Sequence, residues 1–333
     1  MTSTLSARSL LTVFLAVAGL AAAADVKVQF QDWMTPSNPP FPHDPEFAPD
    51  GSVWYTAQSA SKIGRLDPAT GQFKEFPTPT PNSGPHGLVA DKDGNIWYTA
   101  NSAGKIGKVD AKTGKITEYP MPDAAARDPH TPVFDGSGML WFTVQQGNFL
   151  GKLNPKTGEV KLVPSATPRS LPYGMKIHPT GVAVYDMFAT NKIGAINLET
   201  MAIKEFTLPN AAARPRRIEV GKDGLVYYTD YGRGYLGRLD MTTGKVEEWP
   251  SPGGNVSRPY GIAVRTDGTV WYVETIPDDK NMLVRFDPGT KQMQSWPIPG
   301  GGGVVRHMVA APNGDLWLAD SGVGKITRVR VTQ

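Results

Sequence analysis

Residues Pro85–Pro122 read PHGLVADKDGNIWYTANSAGKIGKVDAKTGKITEYPMP, and related stretches follow one another along the chain. The central position of this unit is Trp97, and it recurs about every 43 to 46 residues. The seven occurrences are Trp54, Trp97, Trp141, Val184, Tyr227, Trp271 and Trp317. Regular self-similarity at this period indicates the blades of a propeller or the units of a solenoid.

Four short strands can be predicted within the unit. They cover Gly87–Ala90, Asn95–Thr99, Lys105–Asp110 and Lys115–Tyr119, and Gly, Asp or Pro bounds each of them. No segment after the N-terminal 24 residues shows a sustained helical period of apolar residues. We expect the Trp-Tyr-Thr centre and the Lys-Ile-Gly strand to be replaceable by other good strand residues.

The two ends of the chain are predicted to close a ring. The predicted blades cover residues 42–77, 85–122, 129–166, 172–209, 215–252, 259–299 and 305–333, and the last blade lacks a fourth strand. The segment Gln31–Pro36 matches the fourth-strand ending Glu247–Pro252 and can supply that strand. The sequence therefore predicts an all-β fold, a seven-bladed β-propeller of four-stranded blades closed by pairing of its N- and C-terminal strands.

The N-terminus has the pattern of a secretory signal peptide. Arg8 is the single charge before Asp25, the apolar run Leu10–Leu20 follows it, and Ala22–Ala24 offers a small-residue cleavage site. We expect residues 1–24 to be a signal peptide, residues 25–333 to form one propeller domain, and the protein to be periplasmic or secreted. The alternative is an uncleaved tether.

The composition of the chain indicates which kinds of binding partner are expected and which are not. The net charge is +3 with both signs interspersed, which argues against a surface for nucleic acid, and we expect no membrane insertion after signal cleavage. There is no cysteine, and disulfides and thiolate chemistry are therefore excluded. We expect a monomer that binds a small-molecule cyclic ester or peptide ligand.

Two columns of the repeat are predicted to meet at one mouth of the central channel. The column eleven residues before the tryptophan position reads His43, His86, His130, Tyr173, Arg216, Tyr260 and Arg306. The column three residues after it reads Ala57, Ala100, Val144, Met187, Asp230, Glu274 and Asp320. Clustered imidazoles and carboxylates suit a divalent metal or acid–base chemistry.

A structural explanation of the same residues stays open. Asp230 with Arg216, and Asp320 with Arg306, could form ion pairs within a blade, and the histidines could cap loops through backbone hydrogen bonds.

The unit Pro-His-Gly-Leu … Asp-Gly-Asn-Ile-Trp-Tyr-Thr … Lys-Ile-Gly-Lys-Val … Thr-Gly-Lys-Ile-Thr-Glu-Tyr-Pro resembles the virginiamycin B lyase (streptogramin lyase) family. The resemblance covers all seven blades. It implies a magnesium-dependent lyase that opens a cyclic depsipeptide by elimination, in which a histidine removes a proton α to a carbonyl.

The family's active positions carry partly different residues in this chain. Its metal-ligand histidine falls on Tyr260, and the glutamate and histidine that open its seventh blade fall on Val304 and Arg306, with His307 adjacent. The carboxylate after the second strand of that blade has a counterpart in Asp320.

A rotated version of the site is possible, since Asp128-Pro129-His130 mimics the family's acid-Pro-His step and His86 lies one blade earlier. We therefore predict His86, His130 and His43 as catalytic residues. The predicted substrate-binding residues are Tyr173, Arg216, Tyr260, Arg306 and His307. The predicted ligands of a divalent metal, Mg²⁺ in our expectation, are His86, Asp128, Glu274 and Asp320.

Three functions remain open. The first is a metal-dependent lyase that acts on a cyclic ester or depsipeptide at the channel mouth. The second is a propeller that binds a ligand or protein without catalysis, and the third is a metal-dependent lactonase or hydrolase.

Overall fold

The computed structural model describes residues 26–278, 280–301 and 303–332. These residues form seven four-stranded antiparallel sheets arranged as the blades of a propeller, which confirms the predicted fold. The predicted signal peptide, residues 1–24, lies outside the described residues.

The strands of the first three blades follow the chain from the inside of the ring outwards. Strand β1 covers Lys27–Met34 and precedes them. The first blade contains β2 (Pro42–Phe47), β3 (Val53–Ala57), β4 (Lys62–Asp67) and β5 (Gln72–Pro77). The second contains β6 (Pro85–Ala90), β7 (Ile96–Ala100), β8 (Lys105–Val109) and β9 (Ile116–Pro120). The third contains β10 (Pro129–Phe134), β11 (Leu140–Val144), β12 (Phe149–Leu153) and β13 (Val160–Pro164).

The remaining blades repeat this order. The fourth contains β14 (Pro172–His178), β15 (Val182–Met187), β16 (Lys192–Asn197) and β17 (Ile203–Thr207). The fifth contains β18 (Pro215–Val220), β19 (Val226–Asp230), β20 (Tyr235–Leu239) and β21 (Val246–Pro250). The sixth contains β22 (Arg258–Val264), β23 (Val270–Thr275), β24 (Met282–Asp287) and β25 (Gln292–Pro297). The seventh contains β26 (Val305–Ala310), β27 (Leu316–Asp320) and β28 (Lys325–Thr332).

The helical content of the described residues is a single short segment, the 3-10 helix Gly254–Val256. A membrane-crossing helix, which would need a long apolar run, is accordingly not found in the part of the chain that the structure describes.

Strand β1 completes the seventh blade, as the sequence predicts. It pairs antiparallel with β28 along its whole length, from Lys27 opposite Thr332 to Met34 opposite Lys325. The Lys325 Nζ lies 2.9 Å from Asp32 Oδ2, which ties the two strands through their side chains as well. The ring is therefore closed by segments from opposite ends of the chain.

The tryptophan column packs between neighbouring blades. Trp54 lies in a buried cluster with Leu88 and Ile96 of the next blade, and Trp317 lies in one with Val53 and Tyr55 of the first blade. Because each blade buries its apolar side chains against the next, the whole ring has to form before the core is complete.

The glycine of the Lys-Ile-Gly strand is not replaceable, contrary to the expectation from the sequence. A Cβ on Gly107 would lie 2.0 Å from the Cζ of Tyr98, and Gly64 meets Tyr55 in the same way. The ring of each tyrosine lies flat over the glycine on the adjacent strand. A larger residue there would force the buried ring to move.

Candidate functional site

A β-bulge near the start of the first strand of every blade directs side chains into the channel. In the second blade, Pro85 lies opposite Ala100 and Leu88 lies opposite Tyr98, so that one extra residue is inserted on the inner strand. The same irregularity occurs in the other six blades. A bulge bends its strand and re-aims its side chains.

Threonine hydroxyls in the second strands fix the bulge of one blade to that of the next. Thr99 Oγ1 accepts a hydrogen bond from Gly87 N at 2.9 Å and donates one to the His130 carbonyl oxygen at 2.7 Å. Thr56 donates in the same way to the His86 carbonyl oxygen at 2.6 Å. These bonds hold the backbone of His86 and His130.

The three predicted catalytic histidines come together in a continuous stack. The ring centroids of His43 and His86, of His86 and His130, and of His130 and Tyr173 are each separated by 3.8 Å. The histidines are 3%, 4% and 1% exposed in chain order, which leaves little imidazole surface for solvent. The first predicted column therefore meets inside the channel rather than on its rim.

Aromatic rings complete this layer and surround Arg216. The hydroxyls of Tyr173 and Tyr260 are hydrogen-bonded to each other. The Arg216 guanidinium lies 3.9 Å from the centroid of the Tyr260 ring, 4.3 Å from that of Tyr231 and 4.8 Å from that of Phe188. This half-buried arginine thus faces the mouth from within an aromatic frame.

A second layer lies directly beneath the histidines and contains a buried ion pair. Arg217 Nη2 lies 2.9 Å from Asp44 Oδ1 and 3.2 Å from Asp44 Oδ2. Arg217 comes from the fifth blade and Asp44 from the first, and the pair spans the channel. His307, which was predicted to bind substrate, is 9% exposed and also belongs to this layer, one residue after the first column.

Side-chain hydrogen bonds connect this layer with the histidines. His43 Nδ1 lies 2.7 Å from Asp44 Oδ1, and His130 Nδ1 lies 3.0 Å from Thr131 Oγ1. Arg217 Nη1 donates to the same Thr131 oxygen at 3.3 Å. The Nδ1 atoms of His43 and His130 therefore bind side chains, and the predicted capping of backbone by these atoms is not observed.

The electrostatics of this interior keep the histidines uncharged. Burial is the main cause that holds the pKa of each of His43, His86 and His130 well below its usual value, and nearby arginine charges add to it. Burial also opposes ionisation of Asp44, but the charge and hydrogen bond of Arg217, together with His307 and His86, lower the pKa of that carboxyl. The imidazoles are therefore neutral at neutral pH, whereas Asp44 is ionised.

The predicted carboxylate column binds the loops of its own blades. Glu274 Oε1 accepts a hydrogen bond from Gly253 N at 2.8 Å, and Asp320 lies 3.9 Å from Lys325 Nζ. Asp230 binds the Arg233 Nε at 2.6 Å. Asp230 therefore pairs with Arg233 and not with Arg216, and the ion pair that the described residues show for Asp320 is the one with Lys325.

Asp128, which was also predicted as a metal ligand, lines a cavity of about 500 Å³ between the second and third blades. Among the described residues, the group whose ligand atoms lie close enough to share a metal ion joins His86 with His43 and Asp44, and Asp128 is not part of it.

The residues of this cluster do not fit magnesium. The ligand atoms of His43, Asp44 and His86 lie within 4.8 Å of one another, but Arg217 already binds both oxygens of Asp44. Mg²⁺ requires near-octahedral oxygen ligands, whereas this cluster offers two imidazole nitrogens and one carboxylate that is neutralised by a guanidinium. Two further arginines, Arg216 and Arg306, add positive charge that repels a cation.

Sequence reasoning missed Arg217 and Asp44. The signal was the column one residue after the histidine column, which reads Asp44, Gly87, Thr131, Gly174, Arg217, Gly261 and His307. It combines one acid and two bases at a position that also faces the channel. The bulge makes both successive columns inward-facing, which simple strand alternation does not predict.

Known proteins resemble this chain in sequence and in fold. The model of the Virginiamycin B lyase family matches residues 21–277. A streptogramin B lyase structure is 27% identical, with a TM-score of 0.83, over 92% of this chain and 98% of that one. No curated protein sequence matches significantly.

Two structures of the Staphylococcus aureus virginiamycin B lyase show the same fold. The selenomethionine-substituted protein is 24% identical, with a TM-score of 0.82, over 91% of this chain and 99% of that one. A catalytically inactive variant solved with quinupristin is 23% identical, with a TM-score of 0.82 and the same coverage.

Proposed function

The chain belongs to the virginiamycin B lyase family, and we propose that it is a propeller of this family that binds the ester or carboxylate group of a small ligand at its channel mouth. Arg216 and Arg306 bind the ligand's oxygens. The half-buried rings of Phe188 and Tyr231 contact its apolar part.

The observation that supports this proposal is that Arg216 and Arg306 form no salt bridge with a carboxylate among the described residues. Arg216 and Arg306 are half-buried, and no salt bridge joins either of them to a carboxylate among residues 26–278, 280–301 and 303–332. Their Nε atoms are buried and make no hydrogen bond. Half-buried guanidiniums without a carboxylate partner favour an anionic or strongly polar oxygen ligand.

The aromatic frame suits a ligand with an apolar body. Phe188, Tyr231 and Tyr260 surround Arg216, and the Arg306 guanidinium lies 5.2 Å from the centroid of the Phe41 ring. Stacked arginines keep their in-plane donors available for a ligand.

A metal-independent lyase reaction is the second candidate function, and the neutral histidine stack favours it. In such a reaction a neutral imidazole takes the proton α to a carbonyl, and the electron pair left behind forms a C=C bond. The ester C–O bond breaks, and its oxygen leaves as part of a carboxylate. The guanidiniums of Arg216 and Arg306 stabilise the negative charge that develops.

Binding at the mouth can be tested by calorimetry with quinupristin and with phenylacetate as a simple carboxylate. Arg216→Gln and Arg306→Gln should each weaken binding about tenfold or more. Arg328→Gln is the matched control, because Arg328 also lies over aromatic rings but at the closing strands, away from the mouth. Unchanged affinity in both mouth variants, or no binding of either probe to the wild type, would rule the proposal out.

Catalysis can be tested by incubating quinupristin with the protein and measuring the mass of the product by mass spectrometry. Elimination opens the ring without a change in mass and creates a C=C bond, whereas hydrolysis adds one water. A lyase of the proposed kind keeps its activity in the presence of EDTA. Loss of activity on chelation would instead favour the metal-dependent lyase or hydrolase.

Export belongs to the same proposal. Residues 1–24 have the charge, apolar run and small-residue site of a signal peptide. N-terminal sequencing of the protein recovered from the periplasm or medium should begin near Asp25, and an N-terminus at Met1 would contradict export by cleavage.

A further inference from the structure

A separate cavity lies between the second and third blades on the face that carries the channel mouth. It has a volume of about 500 Å³, within the range of small-molecule sites. Its walls come from the loop after β7, the loop leading into β10 and the loop after β11. The residues used below are Asn101, Lys105, Met121, Asp123, Arg127 and Asp128.

Asp128 is the buried acid of this cavity. It is 9% exposed, and its Oδ1 has no hydrogen-bond partner. Its backbone is held in the left-handed region, with φ of 66°, and its carbonyl oxygen accepts a hydrogen bond from Gln145 N at 2.8 Å. Burial raises the pKa of Asp128 to about 6, while a hydrogen bond from Asn101 opposes that rise.

The other charged groups of the cavity are engaged or lie at its edge. Lys105 Nζ lies 3.0 Å from Glu118 Oε2 and 2.7 Å from Thr80 Oγ1. Asp123 Oδ1 accepts the Ala125 N–H at 2.8 Å, and Arg127 is exposed. Asp128 is therefore a buried carboxyl that no cation of the described residues neutralises.

The geometry points to a binding site for a small ligand that carries a protonated amine. An ammonium group supplies both the positive charge and the N–H donors that Asp128 lacks. Asn101 adds an amide beside the carboxyl, and Met121 provides an apolar wall. One buried carboxylate, with an exposed Asp123 that already accepts the Ala125 N–H, offers too few ligands for a dedicated Ca²⁺ or Mg²⁺ site, which makes an organic cation the better match. This site is independent of the proposed function of the channel mouth.

Glycinamide and N-acetylglycinamide are the probes for this site, because they differ mainly in the charged amine. Calorimetry in an amine-free buffer should detect glycinamide binding at millimolar concentration and no binding of the acetylated compound. Asp128→Asn should weaken glycinamide binding at least about tenfold. Asparagine tolerates the left-handed backbone, and this variant should therefore fold normally.

Asp123→Asn is the matched control, because it removes the same charge from the same cavity and keeps the oxygen that accepts the Ala125 N–H. Its affinity for glycinamide should stay within about twofold of the wild type. Equal binding of the two probes, equal affinity in Asp128→Asn, or no binding of glycinamide at millimolar concentration would each overturn the proposal.

Discussion

Arg217 of the fifth blade binds Asp44 of the first blade across the channel, with Nη2 2.9 Å from Oδ1 and 3.2 Å from Oδ2. Both side chains are 2% exposed. The pair joins blades that are not neighbours in the ring, and it lies directly below the histidine stack. The Arg217 guanidinium also occupies the carboxylate oxygens of Asp44, which could otherwise have bound a metal cation.

Breaking this pair should destabilise the ring strongly. Arg217→Met leaves Asp44 buried without its cation, and we expect the free energy of unfolding to fall by about 3–5 kcal/mol. The double variant Arg217→Met/Asp44→Asn should recover a large part of that loss, because it removes the stranded charge. Urea unfolding of the four proteins of this cycle measures both effects. Equal losses in the single and double variants would show that packing, not charge, dominates.

Asp186 occupies the position of the bridging threonines, and we expect its burial to favour the protonated carboxyl in the folded protein. It is 0% exposed, its Oδ1 accepts the Gly174 N–H at 3.2 Å, and its Oδ2 has no partner. Burial raises the pKa of this carboxyl well above its usual value. We expect Asp186→Thr to raise the free energy of unfolding at neutral pH by about 1–3 kcal/mol.

The gain from Asp186→Thr should depend on pH in a defined direction. A raised pKa favours the fold in acid and ceases to do so as the pH rises through the folded-state value, so that the gain grows from acid to neutral pH. Thermal unfolding at several pH values measures it. Thr99→Val, which removes an intact bridge, should instead be destabilising by about 1–2 kcal/mol. A pH-independent gain would show that folding does not raise the pKa of Asp186.

Ionisation of Glu46 should lower the free energy of unfolding as the pH rises from acid to alkaline. Burial raises the pKa of Glu46 to about 7, the charge of Lys176 opposes this, and the charges of Glu219 and Asp44 add to it. Lys176 is itself bound to Glu219, with Nζ 2.6 Å from Oε1. The stabilising contribution of neutral Glu46 is therefore present below the usual glutamate pKa and is lost as the pH rises through about 7.

Glu46→Gln is the test of this behaviour. Between about pH 5 and about pH 8.5 the wild type should lose about 1–3 kcal/mol more stability than the variant, which cannot ionise at this position. Urea unfolding at the two pH values measures the difference. Parallel pH profiles for the two proteins would contradict the prediction.

Gly107→Ala should destabilise the second blade. The new Cβ would lie 2.0 Å from the Tyr98 Cζ, and we expect a loss of about 1–3 kcal/mol from the displaced buried ring. In a Tyr98→Val background the same substitution should cost less, because the ring is gone. Gly104→Ala is a comparison at a glycine with open space but a positive φ of 62°. Additive losses in the double variant would exclude the clash.

The repeat and the closure of the ring could be predicted from particular residues. The tryptophan column gives the period, and the match between Gln31–Pro36 and Glu247–Pro252 identifies the strand that completes the last blade. Both are local patterns of apolar and turn residues. Such patterns are specified by packing and hydrogen bonding within one unit and can be read without knowledge of the other six.

The content of the channel could be predicted only in part. The offset of His43, His86 and His130 from the tryptophans places them on the inner strand, and the structure brings them together. Arg217 was missed because an inserted residue, which leaves no sequence signal of its own, turns a second column inwards. Pairs such as Arg217 with Asp44 connect distant blades, and no local pattern predicts them.

Pairing of β1 with β28 also sets the order of events during synthesis. Asp32 and its partner Lys325 are 293 positions apart, so the ribosome makes one side of the closing sheet first and the other side last. During that interval β1 has open backbone donors and acceptors and can pair with the wrong strand. The last step of folding therefore waits for the end of translation. A nascent chain stalled before β28 should be an open, aggregation-prone arc rather than a smaller propeller.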